Sequence, residues 1–74
     1  MKLQEIRNKK GISQSQLANL SGIPLRTIQQ WECGQRDIDG AALNRMCDLA
    51  AALDCKIYDI IESAELIDKL KTVL

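Results

Sequence analysis

The chain of 74 residues has no phenylalanine and no histidine, and its only aromatic residues are Trp31 and Tyr58. The core must therefore be aliphatic, built from leucine, isoleucine and alanine, and this composition favours packed helices. The lack of histidine also excludes Ser/His and Cys/His nucleophilic pairs, and no paired-carboxylate site can be assembled from the other residues. We therefore expect neither an enzyme nor a cofactor-binding protein.

Cysteines are few and form no recognisable pattern. Cys33, Cys47 and Cys55 are an odd number without paired spacing, so we expect neither a disulfide framework nor a metal site. Cys47 is predicted to be a small buried core residue. The first ten residues, MKLQEIRNKK, carry charges throughout and hold no apolar block long enough for a signal peptide or a membrane span. We therefore expect a cytoplasmic protein without a membrane partner.

The net charge is zero, but the sign of the charge changes along the chain. Residues 1–36 hold six basic and two acidic residues, which gives +4, whereas residues 37–74 hold four basic and eight acidic residues, which gives −4. The first half is thus suited to approach phosphates, and the second half is repelled by them. Chance segregation of charges on solvated surfaces is the alternative interpretation.

The hydrophobic pattern predicts one small all-α domain, because apolar residues recur at helical spacing and no alternation of strand length occurs. A first helix ends near Gly11, a second begins after the capping-box residue Ser13, and a third begins at Pro24. Asp39 is expected to cap the fourth helix. The apolar residues of that helix follow the i, i+3, i+4, i+7 rule: Leu43, Met46, Cys47, Ala50 and Leu53.

A fifth helix is predicted to begin around Lys56. The pattern leaves open whether this helix continues to the end of the chain or whether a new helix restarts at Ser63. The last segment is apolar on one side, at Leu66, Ile67, Leu70, Val73 and Leu74. We expect this side to cover either the core of its own domain or the core of a partner.

The stretch from Ser21 to Arg36 breaks sharply and restarts at once as a helix. A helix pair joined by a tight turn needs a small residue where the backbones approach, a glycine at the corner and apolar anchors beyond it. Ala18, Gly22, Ile28 and Trp31 meet these needs in that order. Together with Gln14 and Leu17, they stand at the spacings of a DNA-binding helix-turn-helix.

At these positions the chain resembles the phage-repressor-like (Cro/C1, XRE-type) family, and the resemblance extends from about Leu3 to Ile61. It implies a compact five-helix DNA-binding domain, residues 1–62, and leaves residues 63–74 as a C-terminal helical extension. In this family the third helix enters the major groove, while the N-terminus of the second helix abuts the sugar-phosphate backbone. The flanking residues match the family pattern as well: Arg7, Gly11, Gln14, Glu32 and Gly34.

The resemblance assigns roles to individual residues. It implies a structural ion pair between Arg7 and Glu32. Arg26 is suited to bind guanine O6 and N7, and Gln30 is suited to bind adenine N6 and N7. The expected base-contacting residues are Leu25, Arg26, Gln29 and Gln30, and the expected phosphate-contacting residues are Gln14, Thr27, Gln35 and Arg36.

We therefore expect a transcriptional regulator that recognises a palindromic operator in double-stranded DNA as a homodimer. Residues 63–74 or the fifth helix are the expected dimerisation segment. The alternative is an antitoxin or another protein-binding module, which would bind a protein partner and for which DNA binding would be secondary.

Overall fold

Short helices make up most of the computed structural model, which describes residues 1–73; Leu74, which we expected on the apolar side of the last segment, lies outside the described residues. The prediction of an all-α fold is confirmed. Residues 1–73 contain no strand, and none of their helices is long and apolar enough to cross a membrane. In chain order the elements are α1 (Lys2–Lys9), α2 (Gln14–Ser21), α3 (Leu25–Glu32), a 3₁₀ turn (Ile38–Gly40), α4 (Leu43–Leu53), α5 (Ile57–Ile60) and α6 (Ala64–Val73).

Local capping signals explain the helix boundaries around α2. The Ser13 hydroxyl accepts a hydrogen bond from the Gln16 backbone N–H at 3.0 Å, and the Gln16 side chain accepts one from the Ser13 N–H at 2.7 Å, so the predicted capping box is present. Gly22 ends α2 at φ +74, a left-handed conformation that glycine adopts without strain. Pro24 is the N-cap of α3, one residue before the first helical position.

The interior is built almost entirely from aliphatic side chains, with Trp31 as its one large aromatic member. α2 packs against both α3 and α4, and α5 packs against α1, α4 and α6. The buried core residues of the described chain are Leu3, Leu17, Ile23, Ile28, Trp31, Ile38, Met46, Leu49, Ala50, Leu53, Ile60 and Ile61.

The prediction that Cys47 is a core residue is wrong, because its side chain is exposed. The buried residues of α4 are Met46, Leu49, Ala50 and Leu53, which form one stripe at i, i+3, i+4 and i+7. Cys47 lies to one side of this stripe. The predicted apolar face also included Leu43, which is exposed, and omitted Leu49, because two overlapping sets of apolar positions fit the same helical spacing.

The prediction that Asp39 caps the fourth helix is also wrong. α4 begins at Leu43 with Ala42 as its N-cap, and no side chain caps it. Asp39 instead lies in the 3₁₀ turn, and its two carboxylate oxygens accept hydrogen bonds from the backbone N–H groups of Glu62 and Ser63, at 2.8 and 2.9 Å. These amides precede α6 and need partners outside the helix, so Asp39 caps a helix that begins 25 residues later in the chain.

The chain restarts as a separate helix after α5, which settles the question that the pattern left open. Ile61 is extended, and the Ser63 hydroxyl accepts a hydrogen bond from the Leu66 N–H at 3.2 Å at the start of α6. The side chains of Leu66, Ile67 and Leu70 are partly buried against the core of their own domain.

A buried ion pair joins α1 to the end of α3. Arg7 Nε donates to one oxygen of the Glu32 carboxylate and Arg7 Nη2 to the other, both at 2.8 Å, while Arg7 Nη1 donates to the carbonyl of Ile12 at 2.9 Å. The side chains of Arg7 and Glu32 are 10% and 3% exposed. The hydrogen bonds and charge of Glu32 raise the pKa of the Arg7 guanidinium above its ordinary value, against the opposing effect of burial.

Replacing Glu32 with glutamine should destabilise the protein by about 3 to 5 kcal/mol, because the change leaves the buried Arg7 charge without its counter-charge. The matched control is Glu65→Gln, which breaks the ion pair between Glu65 and Lys69, whose side chains are 82% and 69% exposed. That change should cost about 0 to 1 kcal/mol. Urea denaturation of the three proteins measures both values, and equal losses in the two variants would contradict a stabilising role of the buried pair.

Candidate nucleic-acid interface

α3 has one face anchored in the core and one face open to solvent. Ile28 is fully buried and Trp31 is 3% exposed. On the other side of the helix, Arg26 and Gln29 are exposed and Gln30 is half-buried. Leu25 and Thr27 are also half-buried and lie next to the buried face, because they stand three and four residues before Ile28 and Trp31. All four expected base-contacting residues therefore have some surface accessible to solvent. The helix cannot rotate about its axis without exposing the side chains of Ile28 and Trp31.

The corner between α2 and α3 is held by backbone and side-chain hydrogen bonds. The Ser21 hydroxyl donates to the Leu17 carbonyl at 2.7 Å and accepts from the Ile23 N–H at 3.2 Å. The Gly22 N–H donates to the Ala18 carbonyl at 2.9 Å. These bonds hold the last turn of α2 and the start of the turn, and they are the local reason why α2 ends sharply at Gly22.

The start of α2 is tied directly to the end of α3. Gln14 is half-buried, and its Nε2 donates to the Glu32 carboxylate at 3.1 Å, so Gln14 joins the ion pair of Arg7 and Glu32. The family resemblance implies a phosphate contact for Gln14, and no pattern in the sequence predicts its bond to Glu32. Amide N–H groups in the first turn of a helix have no partner within the helix, so the start of α2 still offers backbone donors close to the end of α3.

The loop after α3 carries two further expected phosphate-contacting residues, Gln35 and Arg36, and both are exposed. The loop turns at Gly34, where φ is +82, and the Arg36 N–H donates back to the Gln30 carbonyl at 3.2 Å. This bond keeps the start of the loop next to the C-terminal half of α3. The polar donors at the start of α2, along α3 and in this loop are thus held on adjoining elements.

A cleft of about 320 Å³ lies between α3 and the first turn of α4, and we call it the α3–α4 cleft. It brings Thr27 and Arg36 together with Arg45, a residue that no sequence motif indicates. Arg45 belongs to the acidic half of the sequence, and only the fold places it beside α3. The residues that line the cleft are Thr27, Trp31, Arg36, Asp37, Gly40, Ala41, Ala42 and Arg45.

Within residues 1–73, no group of three or more cysteine, aspartate and glutamate side chains is arranged to hold a metal ion. Burial, together with the nearby Asp59 carboxylate, raises the pKa of the Cys55 thiol, which keeps this thiol protonated and weakly nucleophilic.

Comparison with known proteins supports the resemblance seen in the sequence. A family model described as helix-turn-helix matches residues 3–60, which is more than three quarters of the chain. No curated protein and no solved structure matches the chain. The matched residues run from α1 to the end of α5 and include the whole of the anchored α2–α3 corner. The protein is therefore a member of the helix-turn-helix family of the XRE type, which includes Cro- and C1-like proteins, and is a DNA-binding regulator of transcription.

Proposed function

We propose that the protein recognises a palindromic operator as a homodimer, with α3 of each copy in the major groove of one half-site. The observation that carries the proposal is the division of α3 into a face buried by Ile28 and Trp31 and an opposite face that presents Arg26 and Gln29 to solvent. Such a regulator acts where the DNA is, and we expect it in the cytoplasm. The DNA-binding domain in this proposal is residues 1–62, and residues 63–74 are an extension that supports dimerisation.

The polar face of α3 supplies the chemistry for reading bases. Arg26 lies in the first turn of α3 and is exposed, and its guanidinium matches the paired acceptors O6 and N7 of guanine. Gln30 lies one turn later and is half-buried, and its amide matches adenine N6 and N7. Leu25 offers an apolar surface for a thymine methyl group, and Gln29 extends the same face.

The residues around α3 supply contacts to the phosphate backbone. Gln14 lies at the start of α2, Thr27 lies on α3 itself, and Gln35 and Arg36 follow α3 in the loop. Such contacts set the register and orientation of the protein on the duplex and carry no base information themselves. In this proposal they hold α3 in the groove, Thr27 from its first turn and the other three residues from around its C-terminal end.

The size of the domain supports a dimer on adjacent half-sites. Two half-sites one helical turn apart are separated by about 34–36 Å, and the domain measures 33 Å along its longest axis. With the longest axis along the duplex, two copies placed at this spacing would meet at their edges. The C-terminal segment is suited to this contact, because Val73 at the end of α6 is 75% exposed and a groove of about 570 Å³ runs between α4, α5 and α6.

Arg26→Ala should weaken binding to the preferred operator by about 1 to 3 kcal/mol and should relax the preference at one base pair of each half-site. The operator is first obtained by selecting short duplexes with the purified wild-type protein. Binding isotherms are then measured on that duplex and on its single-base variants. Arg26→Lys is the control, since it keeps the charge but loses the paired hydrogen bonds. Unchanged base preference in Arg26→Ala would rule out the assigned contact.

Val73→Asp should weaken the dimer at least about tenfold, because it places a carboxylate where an apolar contact is proposed, and tenfold corresponds to about 1.4 kcal/mol. The variant should fold normally, since Val73 is exposed. Sedimentation equilibrium measures the dissociation constant, with Leu20→Asp as the control, because Leu20 is also exposed, at 63%, but lies on α2. If Val73→Asp keeps the wild-type association, the contact does not involve the end of α6.

A further inference from the structure

The groove between α4, α5 and α6 has the size and the lining of a small-molecule site, and we call it the C-terminal groove. Apolar side chains line it from all three helices: Ala50 from α4, Ile57 from α5 and Leu70 from α6. Ala50 is buried, and the other two are half-buried. The volume of about 570 Å³ falls within the range of about 300 to 1,000 Å³ that small-molecule pockets occupy. The groove is therefore large enough for the apolar body of a small organic molecule.

The charged side chains that line the C-terminal groove are both basic. Lys56 and Lys71 line it and are exposed, whereas no aspartate or glutamate of residues 1–73 lines it. Residues 37–74 hold eight acidic and only four basic residues, so two of the four basic residues of this half meet at one groove. An apolar lining with exposed ammonium groups matches a molecule that is apolar along its body and anionic at one end.

A contact with Tyr58 holds one of these ammonium groups at the groove. Lys71 Nζ lies 5.1 Å from the centroid of the Tyr58 ring, within the distance of about 6 Å over which a ring attracts a cation. Tyr58 also lines the groove and is half-buried. The positive charge is thus placed beside the apolar lining before any ligand binds, and this placement lowers the entropy that is lost on binding an anion.

Acidic residues near Cys55 determine which end of the groove suits an anion. Cys55 lines the groove, and burial raises the pKa of its thiol. The charges of Asp59 and Asp54 raise this pKa further, while Lys10 lowers it. Asp59 Oδ2 accepts a hydrogen bond at 2.9 Å from the backbone N–H of the residue that precedes α5, which holds this carboxylate at the start of the helix. An anionic group is therefore repelled from the surroundings of Cys55 and attracted to the ammonium group on α6.

We propose that the C-terminal groove binds a small amphipathic anion, with its apolar body against Ala50, Ile57 and Leu70 and its charged end beside Lys71. This site goes beyond the proposed function, because it requires neither DNA nor a second copy of the chain. Val73 follows Leu70 by one helical turn, so a ligand in the groove and a partner at Val73 contact adjoining surfaces.

The cysteines provide a direct test with octanoate as the probe. Cys47 is exposed and lines the groove, whereas Cys33 is exposed at the end of α3 and serves as an internal control. Alkylation of both thiols by iodoacetamide is followed by mass spectrometry, at a protein concentration where sedimentation shows a monomer. Octanoate at ten times its dissociation constant should slow the alkylation of Cys47 about tenfold, because about nine sites in ten are then occupied. The alkylation of Cys33 should not change.

Lys71→Gln should weaken the binding of octanoate about two- to fivefold, because it removes one exposed charge pair. Lys69→Gln is the matched control, since it removes the same charge from an exposed position on the same helix, outside the groove. Octan-1-ol has the same apolar chain without the charge, so it should bind more weakly than octanoate and should bind equally to wild type and Lys71→Gln. Circular dichroism shows that each variant is folded.

Three results would overturn the proposal. The first is protection of Cys47 that does not saturate with octanoate, and the second is an equal effect of Lys71→Gln and Lys69→Gln. The third is protection of Cys47 that rises with protein concentration in the absence of octanoate, which would assign the groove to a second copy of the chain. None of these results bears on duplex binding by α3, so the DNA recognition proposed above is tested separately.

Discussion

The buried carboxylate of Glu32 is the interaction on which the placement of the helices depends. It accepts hydrogen bonds from Nε and Nη2 of Arg7 on α1 and from Nε2 of Gln14 on α2, while it belongs itself to the end of α3. With the Glu32 side chain 3% exposed, water cannot replace a lost partner. One acidic group thus fixes the end of α3 relative to the start of α2, the two segments proposed to meet the groove and the backbone.

Much of the fold could be predicted from the sequence because its signals are local. The capping box at Ser13, the glycine at the corner, Gly22, and the spacing of Ile28 and Trp31 each act within one or two helical turns, and the structure confirms them. The predictions for Cys47 and Asp39 failed because they depend on tertiary structure. Spacing cannot decide which of two overlapping apolar stripes faces the core, and the hydrogen-bond partners of Asp39 lie 23 and 24 residues along the chain.

The same limit applies to the candidate site. The residues on the polar side of α3 could be predicted from the helical period, because Ile28 and Trp31 mark the buried side. The position of Arg45 beside α3 could not be predicted from any pattern, because Arg45 lies in the acidic half of the sequence. The folded chain brings it to the α3–α4 cleft beside Arg36. The net charge of residues 1–36 therefore leaves out one basic residue that lies near α3. The loop and the 3₁₀ turn bring the start of α4 back beside this helix, and Arg45 comes with it.

The loop that returns α4 to α3 is held at both of its ends. At its start, the Arg36 N–H donates to the Gln30 carbonyl, and at its end the Asp39 carboxylate accepts from the amides before α6. A loop tied only to α3 would lose more conformational entropy on binding a phosphate, and that loss would weaken the contact. The same carboxylate therefore joins this loop to the start of the C-terminal helix. The loop proposed to contact DNA and the helix proposed to support dimerisation are thus hydrogen-bonded to each other within one small domain.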